Sequence, residues 1–343
     1  MNAHLEELQS IALAMVAPGR GILAADESNA TMTKRLDAVG VESTEESRRH
    51  FRELLVSTPG AEEHISGVIL YDETIRQQSA DGRSFPKLLQ DRGMVPGIKV
   101  DTGAKPLAGA EGEKVTEGLD GLRERLEEYH ELGARFAKWR AVIEINDALP
   151  SSLCIDVNAH ALARYAALCQ EAGIVPIVEP EVLMDGTHSI DRAEEVTLAT
   201  LRSVFTALLD QRVALEGMIL KPNMVLSGTD CEQQAGVEEV AARTLALFSR
   251  VVPAAVPGIA FLSGGQSDEQ ASAHLSAMNA IGGVPWALSF SYGRALQATP
   301  LQAWSGEEAN EADAQKSFAH RARCNGEARY GRYTEELEAA YAA

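Results

Sequence analysis

The chain has 343 residues, room for one large domain or two smaller ones, and its 45% hydrophobic and 24% charged residues are ordinary for a folded globular protein. Thirty-one Lys and Arg against 50 Asp and Glu give a formal charge of -19, a field that repels nucleic acid and anionic membranes and weakly repels an anionic metabolite. No apolar run approaches the roughly 20 residues of a membrane span, and Met1–Ser10 is too acidic and polar for a secretory signal, so the expected location is the cytoplasm.

Short β-rich runs alternate with longer amphipathic ones. Gly21–Asp26 reads as a first strand and Ser43–Val56 as a helix, with Ser43 and Glu46 at capping-box spacing. Val68–Tyr71 and Ile98–Asp101 read as the second and third strands. Leu119, Leu122, Leu126, Tyr129 and Leu132 mark a helix that ends near Gly133. Lys138–Ile145 is the fourth strand, His160–Glu171 a helix, Ile174–Glu179 the fifth strand and Glu194–Leu209 a helix. Met218–Lys221, Gly258–Leu262 and Trp286–Phe290 complete the strands, with helices over Val237–Phe248 and Gln266–Ile281 between them.

Eight strand–helix steps favour a closed parallel (β/α)8 barrel, a TIM barrel, over an open doubly wound sheet. An open dinucleotide-binding sheet also wants GxGxxG after its first strand, where this chain has Asp26-Glu27-Ser28. The expected organisation is a single α/β domain, with a barrel over 1–297 and a polar C-terminal helix and tail over 298–343. Cys154, Cys169, Cys231 and Cys324 lack CxxC spacing and read as reduced thiols. His50, His64, His130, His160 and His188 are scattered, which argues against a transition-metal site.

Charged residues collect at strand ends. Asp26 ends the first strand, Lys99 and Asp101 lie on the third, and Lys138, Arg140 and Glu144 share a face of the fourth. Glu179 and Glu181 follow the fifth strand, and Lys221 ends the sixth. Ionised groups inside a barrel are costly unless paired, and a ring of both signs at the C-terminal mouth is the layout of a barrel active site. Lys221, in GMILKPNMV, ends an apolar strand. A lysine among apolar groups and near cations such as Lys138 and Lys99 is expected to have a depressed pKa, which would let its neutral amine attack a carbonyl. Glu179 or Glu181, or Asp26 from the opposite side, could transfer protons.

Ser263-Gly264-Gly265 after the seventh strand is an N–H-rich turn that can hold a phosphate, and Arg294 can fork onto the same anion. Lys34, Arg35, Lys99, Lys138 and Arg140 form a second cationic set, for a second phosphate across Lys221.

The stretches GRGILAADES, GVILYDET, PGIKVDTG, FAKWRAV, GIVPIVEPE, LKPNMVLSG, GIAFLSGGQS and ALSFSYGRALQ, from about residue 19 to 297, closely resemble the class I fructose-1,6-bisphosphate aldolases, the Schiff-base type. The resemblance implies reversible cleavage of the bisphosphate to dihydroxyacetone phosphate and glyceraldehyde 3-phosphate, with no metal or other cofactor, and a homotetramer acting on phosphorylated sugars. It casts Lys221 as the Schiff-base lysine and Glu179, with Glu181 nearby, as acid–base. Asp26 would orient the substrate and assist proton transfer at the C4 hydroxyl, with Lys138 stabilising charge and Lys99 in support. Ser263, Gly264, Gly265, Arg294 and Ser291 would take the 1-phosphate, and Ser28, Thr31, Lys34, Arg35 and Arg140 the 6-phosphate side. Eukaryotic members finish in a tyrosine-ended tail. This chain ends Tyr341-Ala342-Ala343, which makes Tyr341 the candidate for that role. An acidic Glu144 also stands where animal members are expected to carry a lysine.

Overall fold

The computed structural model describes residues 4–340. Its first half runs α1 (Leu5–Met15), β1 (Gly21–Ala25), α2 (Asn29–Asp37), α3 (Glu45–Ser57), β2 (Ile65–Leu70), α4 (Asp72–Ile75), α5 (Phe85–Asp91), β3 (Val95–Lys99), β4 (Gly103–Pro106), β5 (Lys114–Glu117), α6 (Leu122–Glu131) and β6 (Phe136–Ile143). The second half adds α7 (Ser152–Glu171), β7 (Val175–Val182), α8 (Ile190–Asp210), β8 (Ile219–Leu220), α9 (Val237–Val251), β9 (Gly258–Phe261), α10 (Asp268–Ile281), β10 (Ala287–Tyr292), α11 (Arg294–Trp304), α12 (Glu311–Ala328) and α13 (Glu335–Ala339).

Eight parallel strands close in the order β1-β10-β9-β8-β7-β6-β3-β2, the expected (β/α)8 barrel. Closure is made by pairing Ile22 with Ser291 and Leu23 with Tyr292. Because strand side chains alternate, each strand feeds two cores. Leu23, Val68, Leu70, Ala137, Trp139 and Val178 pack outward under the helices. Ile22, Ile69, Phe136, Val175, Ile177, Ile219 and Ala260 pack in a second cluster with Leu8, Ala12 and Met15 of α1. Phe136 needs space within that cluster: a Cβ on Gly97 would lie 2.2 Å from its ring.

Several helices start later or earlier than the sequence pattern indicates, because caps fix them. α3 begins after Thr44, whose side chain forms a reciprocal capping box with Ser47, in place of the expected Ser43 and Glu46 pair. α7 begins at Ser152, eight residues before the expected His160, because Ser151 caps it and is itself held by the Glu113 carboxylate. Ser267 likewise caps α10 with a capping box to Gln270. The helix α1, the helix α2 and the antiparallel hairpin β4–β5 were not expected. α11 runs through the boundary expected between a barrel ending at 297 and a tail beginning at 298, and α12 packs against it.

Candidate active site

A cleft of about 320 Å³, within the range of small-molecule sites, opens among the residues that end the barrel strands. Asp26 directly follows β1, Lys138 and Arg140 lie on β6, and Glu179 and Glu181 fall within β7 rather than after it. β8 is only Ile219–Leu220, yet the Lys221 N–H donates to Val178 O at 2.8 Å and keeps the ladder in register one residue further. That bond fixes the lysine backbone at the barrel mouth.

Lys221 Nζ lies 3.1 Å from Glu179 Oε1, and Lys138 Nζ lies 3.7 Å from Glu179 Oε2. Lys138 Nζ also sits 2.7 Å from Asp26 Oδ2 and 4.0 Å from Asp101 Oδ2, while Lys99 reaches Asp101 Oδ1 at 3.5 Å. Lys221, Lys138, Glu179 and Asp26 are all buried, so they form a desolvated chain of alternating charge. Burial, the largest influence on Asp26, favours its neutral acid, but the charges of Lys138, Lys221 and Lys99 outweigh it and hold its pKa at about 2. Lys138 is likewise held protonated. Burial opposes its charge, and Asp26, Glu179 and Asp101 overcome that penalty.

The cleft wall carries six cations, Arg35, Lys99, Lys138, Arg140, Lys221 and Arg294, against five carboxylates, Asp26, Glu27, Asp101, Glu179 and Glu181. Basic groups at least match the acidic ones here, within a chain of charge -19, the concentration of basic side chains that an anionic ligand requires. Arg140 Nε donates to Glu181, and Arg294 Nη2 donates to Gly264 O at 2.7 Å. Ser263 and Gly264 line the cleft next to Ser291, whose buried hydroxyl has no hydrogen-bond partner among the described residues. Ser28 and Thr31 also line the cleft, just beyond β1, where the Ser28 side chain caps α2.

Two expected residues are not in the cleft wall. Lys34 is exposed on α2, one position away from the inward Arg35, and neighbours on a helix point about 100° apart. Gly265 is exposed, and its N–H donates to Met184 Sδ at 3.4 Å instead of facing the cleft. Tyr341 lies outside the described residues. Arg35 is on the wall but is tied through Glu27 to Gln297 of α11, which draws it toward the Arg294 end rather than toward Arg140. Sequence reasoning gave no role to Asp101 or Glu27. Asp101 had a signal, its two-residue spacing from Lys99, whereas Glu27 was masked by its neighbour Asp26.

Among the described residues, one group brings three metal-type donors within 4.8 Å of one another: His320, Cys324 and Glu338. It lies outside the cleft, and Arg321 and Tyr333 already engage its carboxylate.

Comparison with known proteins bears on this geometry. The family model described as glycolytic class-I fructose-bisphosphate aldolase matches residues 7–343. A probable class 1 fructose-bisphosphate aldolase of Xanthomonas campestris pv. campestris is 60% identical over 330 residues, 96% of this chain and 99% of that protein. The cytosolic fructose-bisphosphate aldolase 4 of Arabidopsis thaliana is 51% identical over 333 residues, 97% of this chain and 85% of that one. The solved fructose-bisphosphate aldolase of Plasmodium falciparum, in a complex with TRAP and a small-molecule inhibitor, superposes with a TM-score of 0.95 at 47% identity, covering 96% of each chain. With a barrel of this order and matches along nearly its whole length, the chain belongs to the class I fructose-bisphosphate aldolase family.

Proposed function

We propose that the chain cleaves fructose 1,6-bisphosphate reversibly to dihydroxyacetone phosphate and glyceraldehyde 3-phosphate through a Schiff base on Lys221. The observation that carries this reading is the 3.1 Å contact between the buried Lys221 amine and Glu179 at the end of β8. A carboxylate there can take a proton from the attacking amine and return it to the departing hydroxyl. Lys221 Nζ adds to the C2 carbonyl to give a carbinolamine. Loss of that hydroxyl as water, protonated through Glu179, leaves the iminium.

The C3–C4 bond then breaks, its electron pair moves toward the iminium nitrogen to give an enamine, and the C4 hydroxyl proton leaves as the aldehyde forms. Asp26 is the acceptor that aligns this hydroxyl. Its low pKa keeps it ionised, and Lys138 beside it shares the charge as the proton moves. Protonation of the enamine at C3 and hydrolysis of the iminium release dihydroxyacetone phosphate and restore the lysine. Lys99 and Asp101 brace the same cluster, and Glu181 holds Arg140 at the rim.

Ser263, Gly264, Ser291 and Arg294 take one phosphate, with the unpartnered Ser291 hydroxyl as a ready donor. Arg35 reaches the same end. Ser28, Thr31, Lys99 and Arg140 serve the other phosphate. Two anchored phosphates turn binding energy into orientation. We read the chain as metal-independent, since the iminium supplies the electron sink. We also read it as a cytoplasmic homotetramer, as the family resemblance and the cytosolic Arabidopsis relative imply. No helix among the described residues is long and apolar enough to cross a membrane.

The test is borohydride trapping with dihydroxyacetone phosphate in excess EDTA, followed by peptide mass mapping. The expected product is one reduced adduct on Lys221. Absence of an adduct with ligand bound, or an adduct on another lysine, overturns the assignment.

A further inference from the structure

Arg35 is a long side chain about a quarter exposed, and a guanidinium free to sample rotamers loses that freedom when it closes on an anion. Its hold is Glu27. Glu27 Oε1 accepts from Arg35 Nη1 at 2.5 Å and from Gln297 Nε2 at 2.8 Å. The same Gln297 nitrogen donates to Ala24 O at 2.7 Å, so the carboxylate is indexed to β1 and α11 together. Arg52, fully buried on α3, donates through Nη2 to Glu27 O at 2.7 Å and fixes the backbone. Glu27 is thus immobilised from two sides by buried groups, and Arg35 is the partner with freedom left to lose.

The grip is one-sided. Glu27 Oε2 is buried without a hydrogen-bond partner among the described residues, a cost that a purely structural glutamate avoids by engaging both oxygens. A single-point hold leaves the other Arg35 N–H donors for an incoming anion. The hold also lies at a phosphate end of the cleft, since a Cβ on Gly293 would sit 3.7 Å from Glu27 Oε1 and Arg294 follows at once.

We infer that Glu27 is a positioning residue, which aims Arg35 at the substrate phosphate bound beside Arg294. The inference rests on reading Arg35 as a phosphate ligand. Glu27 carries a negative charge into an anion site, which gives the proposal a definite sign. If the charge acts only by repulsion, its removal tightens binding. If the carboxylate works by aiming Arg35, its removal weakens binding.

The experiment is a double-mutant cycle on the full chain, with KM and kcat for fructose 1,6-bisphosphate measured for Glu27→Ala, Glu27→Gln, Arg35→Met and Glu27→Ala/Arg35→Met. Glu27→Ala is expected to raise KM by about tenfold with a smaller fall in kcat, the signature of lost ground-state binding. Glu27→Gln, which keeps an acceptor for Arg35, should recover part of the loss. The double variant should be no worse than Arg35→Met alone, because Glu27 acts through Arg35. Borohydride trapping at Lys221 confirms that each variant is folded and competent. An unchanged or lower KM in Glu27→Ala, or additive effects in the double variant, overturns the proposal while leaving Arg35 as a ligand. An unchanged KM in Arg35→Met overturns the reading of Arg35 itself, and the proposal with it.

Discussion

Along β7 the side chains facing the barrel axis run Val175, Ile177, Glu179 and Glu181, apolar at one end and acidic at the other. β6 repeats the change with Phe136, Lys138 and Arg140, and β1 with Ile22, Ala24 and Asp26. One closed sheet therefore encloses two interiors. The lower one is capped by α1 and releases free energy by burying apolar surface. The upper one holds ionised groups out of water, which costs free energy that only mutual pairing offsets. The strands that secure the fold below present buried, paired charge above, so the apolar end can be perturbed without touching the chemistry, whereas the charged end carries both.

The largest effect should come from removing the nucleophile at the charged end. Lys221→Met should lower kcat by at least about 10⁴-fold, abolish borohydride trapping, and leave the far-ultraviolet circular dichroism unchanged. Retained activity would break the contrast between the two ends. Lys138→Met comes next, because it leaves Asp26, Asp101 and Glu179 buried without their common partner. Chemical denaturation at pH 7 should show a loss of about 3–5 kcal/mol, alongside a fall in kcat of about 10²-fold or more.

Leu8→Ala tests the apolar end. Leu8 is fully buried beneath the barrel, so truncation should cost about 2–5 kcal/mol, with KM and kcat near wild type below the new melting range. A large change in kcat would show that the two interiors are coupled. A smaller effect follows from Asp26. Its folded pKa of about 2 lies below the ordinary 3.8, so its stabilisation is complete above pH 3.8 and is lost as the pH falls toward 2. Denaturation curves at pH 5 and pH 2 should show about 2 kcal/mol more acid sensitivity in the wild type than in Asp26→Asn. The smallest effect is that of Lys34→Ala, which should leave KM within about twofold because this exposed lysine is outside the cleft wall, while Arg35→Met should not.

The barrel and the residues that gather in the cleft were legible wherever a charge interrupts an apolar strand. Lys221 after Met218–Leu220 and Asp26 after Gly21–Ala25 are such breaks, since nothing apolar explains them. Helix α1 was not legible, because its polar first residues read as a chain end and only the closed barrel reveals the surface it covers. The hairpin β4–β5 is largely solvent-facing and carries little hydrophobic alternation to announce it. Arg52 lies on a helix of strongly polar composition, and nothing local marks it as fully buried beneath the Asp26–Glu27 turn. Lys34 and Arg35 were read as a pair, but the turn of a helix lets only one of them face inward.

The seating of α1 also bears on how the chain folds. Leu8 packs against Gly217, and the Ser289 hydroxyl reaches back 269 residues to donate to Arg20 O. Helix α1 therefore completes its seat only after the chain as far as Gly217 has been made, and β1 waits longer still for β10. Such non-local pairing carries a high loop-closure cost and slows folding. Until closure, Leu8, Ala12 and Met15 form an uncovered apolar stripe, so this helix is where a chaperone would have its longest opportunity to bind the nascent chain.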